Sequence, residues 1–393
     1  MSTRAWTFQA NEVQPVRERL SWLTDIMSSR DGTEERRQVR HGARRRYEML
    51  VTVDGYEAQR LDAFLYGYDP AAGCWFPAYN QLGLLSAAAA GGATTLQFDT
   101  TNRDYASGGY LMVVDHDSGD YQVCQMTAVS AASVDITPAL SSAWAESSRV
   151  YPVYKADIVH PAAVDQITAA VEDITVAAEM VTPGIWTQDA GAITYRTEPV
   201  FPFGEPDRGP TISARYRRLT RRLDYDIGSW SQTDPAGQPF GRRQLEYLVE
   251  GRADLWAWRQ WLAWARGQLK EWWIPTHQCD LTLLDAAASA DTAIHVTPVG
   301  WQTHFAGRLG RTDLDIKLVD GTHIRRGVLS NTMVSATKEA LNLDAALGQD
   351  IDPSTVSKIS WLEKCRLATD VVEIVHYTQE VAHISLQVTT VNS

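Results

Sequence analysis

The chain has 393 residues, 44% apolar and 21% charged, with 48 acidic against 36 basic side chains and a net charge of −12. Such a length can fill more than one core, and the acidic balance argues against a general nucleic-acid binder, which would be basic. No apolar run approaches the roughly 18 residues of a membrane helix, and the opening Met1-Ser2-Thr3-Arg4-Ala5-Trp6 lacks the apolar core of a secretory signal.

In chain order, residues 1 to 19 read as a polar arm with little periodicity. Trp22, Leu23 and Ile26 anchor a short apolar element, and Ser28 to Thr33 reads as a turn. The stretch from Glu34 to Arg46 carries Arg36, Arg37, Arg40, Arg44, Arg45 and Arg46. Without interleaved aromatics, and in an acidic chain, the cluster reads as guanidiniums pairing with carboxylates across a subunit contact, in preference to a nucleic-acid patch. Tyr47 to Val53 alternates as a strand, and Gly55 to Gly67 has the apolar spacing of a helix.

After the turn at Trp75-Phe76-Pro77 the composition changes. From Ala87 to about Pro152, small residues and turn signals separate short alternating runs: Leu96-Gln97-Phe98, Tyr110 to Val114, Tyr121-Gln122-Val123 and Val134-Asp135-Ile136. This predicts a small all-β module inserted as an appendage. Within it, Asp115-His116-Asp117-Ser118-Gly119-Asp120 has oxygen ligands at calcium-loop spacing but no closing glutamate, so it reads as a hairpin turn. Ile167 to Val181 is expected to be an extended return strand, and Thr182-Pro183-Gly184 ends the unit.

Residues 187 to 214 read as loop and edge strands. Arg215, Arg217, Arg218, Arg221 and Arg222 form a second arginine cluster, and Arg242 and Arg243 precede another strand. The helix expected from Gly251 to Gly267 and the turn after it hold Trp256, Trp258, Trp261, Trp264, Trp272 and Trp273. These cannot all share one stripe, so some are expected to pack against a neighbouring domain or chain; with the arginines, Trp256, Trp258 and Trp261 are candidate subunit-interface residues. A second inserted β module is signalled by Ile294-His295-Val296, Leu314 to Val319 and Leu341 to Asp344.

The chain thus states one plan twice. Trp75-Phe76-Pro77 recurs as Trp273-Ile274-Pro275, and each is followed by a leucine pair, an alanine run and an alternating strand. Upstream, Leu20 to Ile26 is echoed by Leu223 to Ile227; downstream, Ala170 to Val176 is answered by Glu380 to Leu386. We therefore expect a mainly β protein, a tandem duplication of a sandwich or barrel unit of roughly 190 residues with one flanking helix each. The expected divisions are 1–85 plus 156–182 as the first parent domain and 86–155 as its module. In the second unit, 183–283 plus 365–393 is the parent and 284–364 its module.

Reaction chemistry is not signalled. The nine histidines make no His-x-x-x-His pair, and there is no nucleophile elbow or phosphate-cradling glycine loop. Four dispersed cysteines, Cys74, Cys124, Cys279 and Cys365, suit free thiols made in a reducing cytoplasm and do not cluster for zinc or an iron–sulfur centre. No catalytic, metal or cofactor site is expected.

The segment Trp22-Leu23-Thr24-Asp25-Ile26, Gly32-Thr33-Glu34, Arg36-Arg37 and Arg44-Arg45-Arg46-Tyr47, followed by a helix and the Trp-Phe-Pro turn, resembles the opening of distal tail proteins of long-tailed bacteriophages and gene transfer agents. The inserted module, from Gly92-Ala93-Thr94-Thr95-Leu96 to Arg149-Val150-Tyr151-Pro152, is similar to modules of the same tail-tip proteins. The resemblance implies a tail-tube-like fold and a ring whose inner strands line a channel for DNA in transit. A tail tube protein would meet it on one side, and a hub, spike or tail fibre protein on the other. With two units per chain, a trimer with pseudo-six-fold symmetry is expected, and a hexamer is the alternative. Two other classes compete: a receptor- or carbohydrate-binding module using Trp301, Tyr105 or Tyr110, and a cell-wall hydrolase with paired carboxylates in a cleft.

Overall fold

The computed structural model describes residues 4–159, 163–209 and 211–392 and is mainly β. His160 and the first three residues of the N-terminal segment lie outside the described residues.

The first half begins with β1 (Arg4–Ala5), β2 (Val16–Ser21) and a hairpin of β3 (Thr24–Ser28) and β4 (Glu34–Gln38). The long β5 (Arg44–Asp54) follows, then α1 (Gly55–Tyr66) and β6 (Cys74–Pro77). Strict alternation makes β5 a strand: Arg45, Tyr47, Met49, Val51 and Val53 point inward and their neighbours outward. On α1, Leu61 and Phe64 face the same core, and Gly67 ends the helix. The inserted module holds β7 (Gly83–Leu84), β8 (Thr95–Gln97), β9 (Tyr110–Val114), β10 (Tyr121–Val129) and β11 (Ser133–Thr137). The half closes with β12 (Arg149–Ile158), β13 (Ala163–Gln166) and β14 (Val171–Met180), so Ile167 to Val181 contributes a return strand as expected.

The second half opens with short strands β15 (Thr194–Tyr195) and β16 (Glu198–Pro199), then β17 (Ala214–Arg218) and a hairpin of β18 (Arg221–Leu223) and β19 (Ser231–Thr233). Next come β20 (Pro239–Glu250), α2 (Arg252–Ala265) and β21 (Trp272–Pro275). Its module has β22 (Ala293–Val296), the short helix α3 (Trp301–His304), β23 (Asp313–Leu318), β24 (His323–Ser335) and β25 (Lys338–Leu343). The chain ends with β26 (Val356–Leu367), β27 (Val371–His376) and β28 (Val381–Thr390).

Strand pairings correspond element by element. In the first half β5 pairs with β2 and β14, β6 with β12, β12 with β14, and β13 with β14. In the second, β20 pairs with β17 and β28, β21 with β26, β26 with β28, and β27 with β28. The modules agree as well: β8·β11, β9·β10, β10·β11 and β9·β12 answer β22·β25, β23·β24, β24·β25 and β23·β26.

Each parent and each module has its own buried cluster. The modules are not loose appendages, however. One strand, β12, pairs first with module strand β9 and then with β6 and β14 of the parent, and β26 does the same in the second half. The expected boundaries at 155/156 and 364/365 therefore fall within continuous strands. Leu281 and Leu283, expected in the parent, pack in the second module.

The N-terminal residues are not the polar arm that the sequence suggested. Trp6 and Phe8 are fully buried against Phe64 and Phe76, and β2 carries Leu20 toward the second core. The echo of Leu20 to Ile26 also lies elsewhere than expected. The strand paired with β20 as β2 is with β5 is Ala214–Arg218, whereas Leu223 to Ile227 sits in the β18–β19 hairpin.

Candidate assembly interface

The two halves are joined edge to edge. From Val16↔His376 to Ser21↔Val371, β2 pairs antiparallel with β27, giving one continuous sheet across the molecule. At the centre of the joint, Glu18 is the inward side chain of β2 and is fully buried. Arg45 Nε donates to Glu18 Oε1 at 2.6 Å, and Arg259 of α2 grips both carboxylate oxygens at 3.0 and 2.7 Å. His376 Nε2 lies 2.9 Å from Oε2, and Asn80 Nδ2 donates to it at 3.0 Å. Arg45 also reaches Asp104 at 2.8 Å, and Trp186 donates to Asp104 at 3.0 Å while both guanidiniums lie over its indole.

These groups balance within the chain. Burial pushes the Glu18 carboxyl up, but Arg259 and Arg45 outweigh it and hold the group well below the usual carboxylate range. Burial depresses His376 despite Glu18, so its ring is neutral and donates from Nε2. Two carboxylates then face two guanidiniums, an arrangement in which a buried charge is tolerated.

Several candidate subunit contacts are thus spent inside one molecule. Arg45 and Arg243 are buried, Arg243 against Glu363 at 2.5 Å, because each occupies an inward position of its alternating strand. Trp258 and Trp261 are buried in the second core, with Phe203 stacked on Trp258 at 3.8 Å, and Trp256 is half-buried beside them. As expected, the tryptophans do not share one stripe; α2 packs between β20 and a loop carrying Phe201 and Phe203, so the second apolar side comes from the same half and not from a neighbouring chain. Arg40 is engaged by Ser21 O at 2.9 Å.

Arg36 belongs to a second joint. The β3–β4 arm of the first half lies against the second half, where Glu34 forms a bidentate pair with Arg366 at 2.7 Å on both oxygens and Arg36 pairs with Glu271. Thr24 binds Asp370 through N and Oγ1 at 2.7 and 2.8 Å. At the tip, Gly32 has φ +88° and no room for a side chain, since a Cβ would come within 2.2 Å of Phe240. Sequence reasoning missed Glu18 and Arg259, whose only signal was a carboxylate or guanidinium at an inward position, visible once the strand or helix phase is known; Glu34 carries part of the family resemblance but was not expected as a contact residue.

The remaining candidates are exposed. Arg215, Arg217 and Arg218 lie on β17, every residue of which is open; Arg37, Arg44 and Arg242 are exposed, and Arg46 is partly so. Arg44, Arg46 and Arg242 share the solvent face of the joined sheet with Arg17, Glu48, Glu179, Glu246 and Glu373. Contacts on that face include Arg17–Glu373 at 4.0 Å, Arg44–Glu179 at 3.7 Å and Arg242–Gln387 at 2.6 Å.

No family model matches the chain, and no curated protein matches it. Among the described residues no helix is long and apolar enough to cross a membrane, and no group of three or more His, Cys, Asp or Glu could hold a metal ion. The Asp115–Asp120 stretch is a hairpin turn closed by Asp115 N to Asp120 O at 2.9 Å, with Gly119 at φ +76°. Of the aromatics considered for glycan binding, Trp301 and Tyr105 are buried; Tyr110 is partly exposed and packs against Trp75 with the rings tilted by 38°. Burial pushes the Cys74 and Cys365 thiols up to about 12, which makes them unreactive core residues.

Proposed function

We propose that the chain is a structural protein of the tail tip of a long-tailed bacteriophage or gene transfer agent. Three copies form a ring that continues the tail tube and connects it to a hub, spike or fibre protein, leaving a channel through which DNA passes. The protein is made in the host cytoplasm, resides in the virion and catalyses no reaction.

One observation carries the reading: two halves with corresponding strand pairings are joined edge to edge by β2 and β27. We infer a tandem duplication from that correspondence. A chain that joins two like units in this way closes a ring by repeating the joint, and closure removes free strand edges. Six like units from three chains then meet a six-fold tube on one side and a three-fold tip on the other. The mixed-sign solvent face of the joined sheet supports a channel lining, because it holds no large field of one sign to grip a polyanion.

Native mass spectrometry and electron microscopy of the purified protein, with antibody labelling of tailed particles, test this. Rings of three chains and label at the tail tip are expected. Rings of six chains would remove the trimer and leave the tail-tip assignment; a solitary chain that turns over a substrate would overturn both.

A further inference from the structure

One guanidinium at the joint between the halves has no carboxylate. Arg252 opens α2 and reaches across to the first half: Nη2 donates to Asn80 O at 2.7 Å, while Nη1 donates to Gln379 O of the β27–β28 turn at 2.9 Å. Its Nε is buried and finds no acceptor. The neighbouring carboxylates are already taken, Glu18 by Arg45 and Arg259, Asp104 by Arg45, and Asp99 by Arg103. Exposed Glu380 acts on Arg252 but forms no ion pair with it among the described residues. Burial, with Arg259 and Arg103 as like-charged neighbours, takes the pKa of the guanidinium down to about 10, so it still carries its charge at neutral pH. Setting Arg45, Arg259 and Arg252 against Glu18 and Asp104 leaves one positive charge over.

Beside Arg252 lies a cavity of about 10 Å³, room for one water-sized body. Both halves build it: Asn80, Gln81 and Asn102 come from the first, and Arg252, Trp256 and Arg259 from the second, where steps of four and three residues put them on one face of α2. Its walls hold N–H groups that the chain does not use. Arg259 gives Nη1 and Nη2 to Glu18 and keeps Nε; Gln81 accepts from Asp104 N through Oε1 and keeps its amide N–H groups; Asn102 makes no side-chain hydrogen bond among the described residues. His376 also borders the cavity with a bare ring nitrogen, Nδ1, which favours a water over an anion. Charge decides against the water, because a water there would leave the surplus guanidinium uncompensated.

We propose that this cavity binds one small inorganic anion, a halide such as chloride, which completes the charge balance at the joint and ties the halves together. Polyatomic anions such as phosphate are too large for it. The site lies within one chain and needs no second copy, so it stands apart from the ring reading.

Thermal unfolding of the purified full chain at about pH 8, where histidine is neutral, with chloride exchanged for gluconate at constant ionic strength, tests the site. The melting midpoint should rise with chloride and reach a plateau, as mass action requires of a ligand held only by the folded state. Bromide should act in the same way. Asn102→Asp sets a fixed carboxylate in the cavity wall, at a backbone φ of +55° that aspartate tolerates. That variant should melt higher than the parent in gluconate and no longer respond to chloride. Crystals grown in bromide should show an anomalous peak between Asn102 and Arg252, and this decides the question if Asn102→Asp fails to fold. Equal midpoints in chloride and gluconate, a rise without a plateau that Asn102→Asp retains, or a bromide crystal without the peak would overturn the site and leave the ring reading untouched.

Discussion

Glu18 on β2 and Arg259 on α2 are 241 positions apart in sequence, yet Arg259 holds both oxygens of the Glu18 carboxylate, at 3.0 and 2.7 Å, in a site closed to solvent. The pair ties the halves together by chemistry as well as by strand pairing. Removing the carboxylate charge leaves Arg45 and Arg259 buried and undercompensated. Glu18→Gln should destabilise the fold by about 3–5 kcal/mol, read as a lower midpoint in urea unfolding.

Acid sensitivity should arrive in two stages. Burial lowers the pKa values of His376 and His116 and takes His277 down to about 3, so below about pH 6.5 the unfolded chain binds protons that the folded chain refuses. Stability is therefore complete above that pH and falls as pH drops. Below the ordinary glutamate value of about 4.5, the depressed Glu18 carboxyl adds its own loss. Replacing His277, which has φ +59°, by asparagine keeps a residue suited to that backbone and should flatten the first stage, as measured by melting temperature against pH.

The β3–β4 arm should detach when its tip is crowded. Gly32→Ala adds a Cβ into the Phe240 ring at a left-handed backbone position and should cost about 1–3 kcal/mol. Trypsin cleavage at exposed Arg30 is the readout, and faster nicking than in the parent protein is expected.

Trp258 packs between Phe201, Phe203, Tyr247 and Trp261. Trp258→Ala should cost about 3–5 kcal/mol. An unchanged denaturant slope would show that the surface exposed on unfolding is unchanged, so that the loss is one of packing.

Legibility in the sequence followed the side chains that declare a period. The strand β5 was readable because Tyr47, Met49, Val51 and Val53 alternate without interruption, and α1 and α2 because glycines bracket apolar stripes. In β2 the inward side of Val-Arg-Glu-Arg-Leu-Ser includes Glu18, whose partners come from distant segments, so its burial has no local mark. The long β24 opens His-Ile-Arg-Arg-Gly and escaped for a similar reason. The downstream echo matched Ile174 with Ile384, whereas the pairings to β5 and β20 match Ile174 with Ala382. A slip of two residues keeps the same face, which is why a pattern of period two cannot detect it. Of the arginines expected at a subunit contact, Arg36 and Arg45 lie at contacts between the halves and Arg243 pairs within the second half, because sequence alone cannot distinguish a contact inside one chain from a contact between chains.

The unbroken course of β12 from its module into the parent sheet has a mechanical consequence. A force on the module tip is not absorbed by a swivel; it travels down one hydrogen-bonded rail to β14 and onward to β5 and β2. With β26 as the second rail, each module acts as a rigid mast stepped into the hull. Whatever pulls on the mast pulls on the seam between the halves.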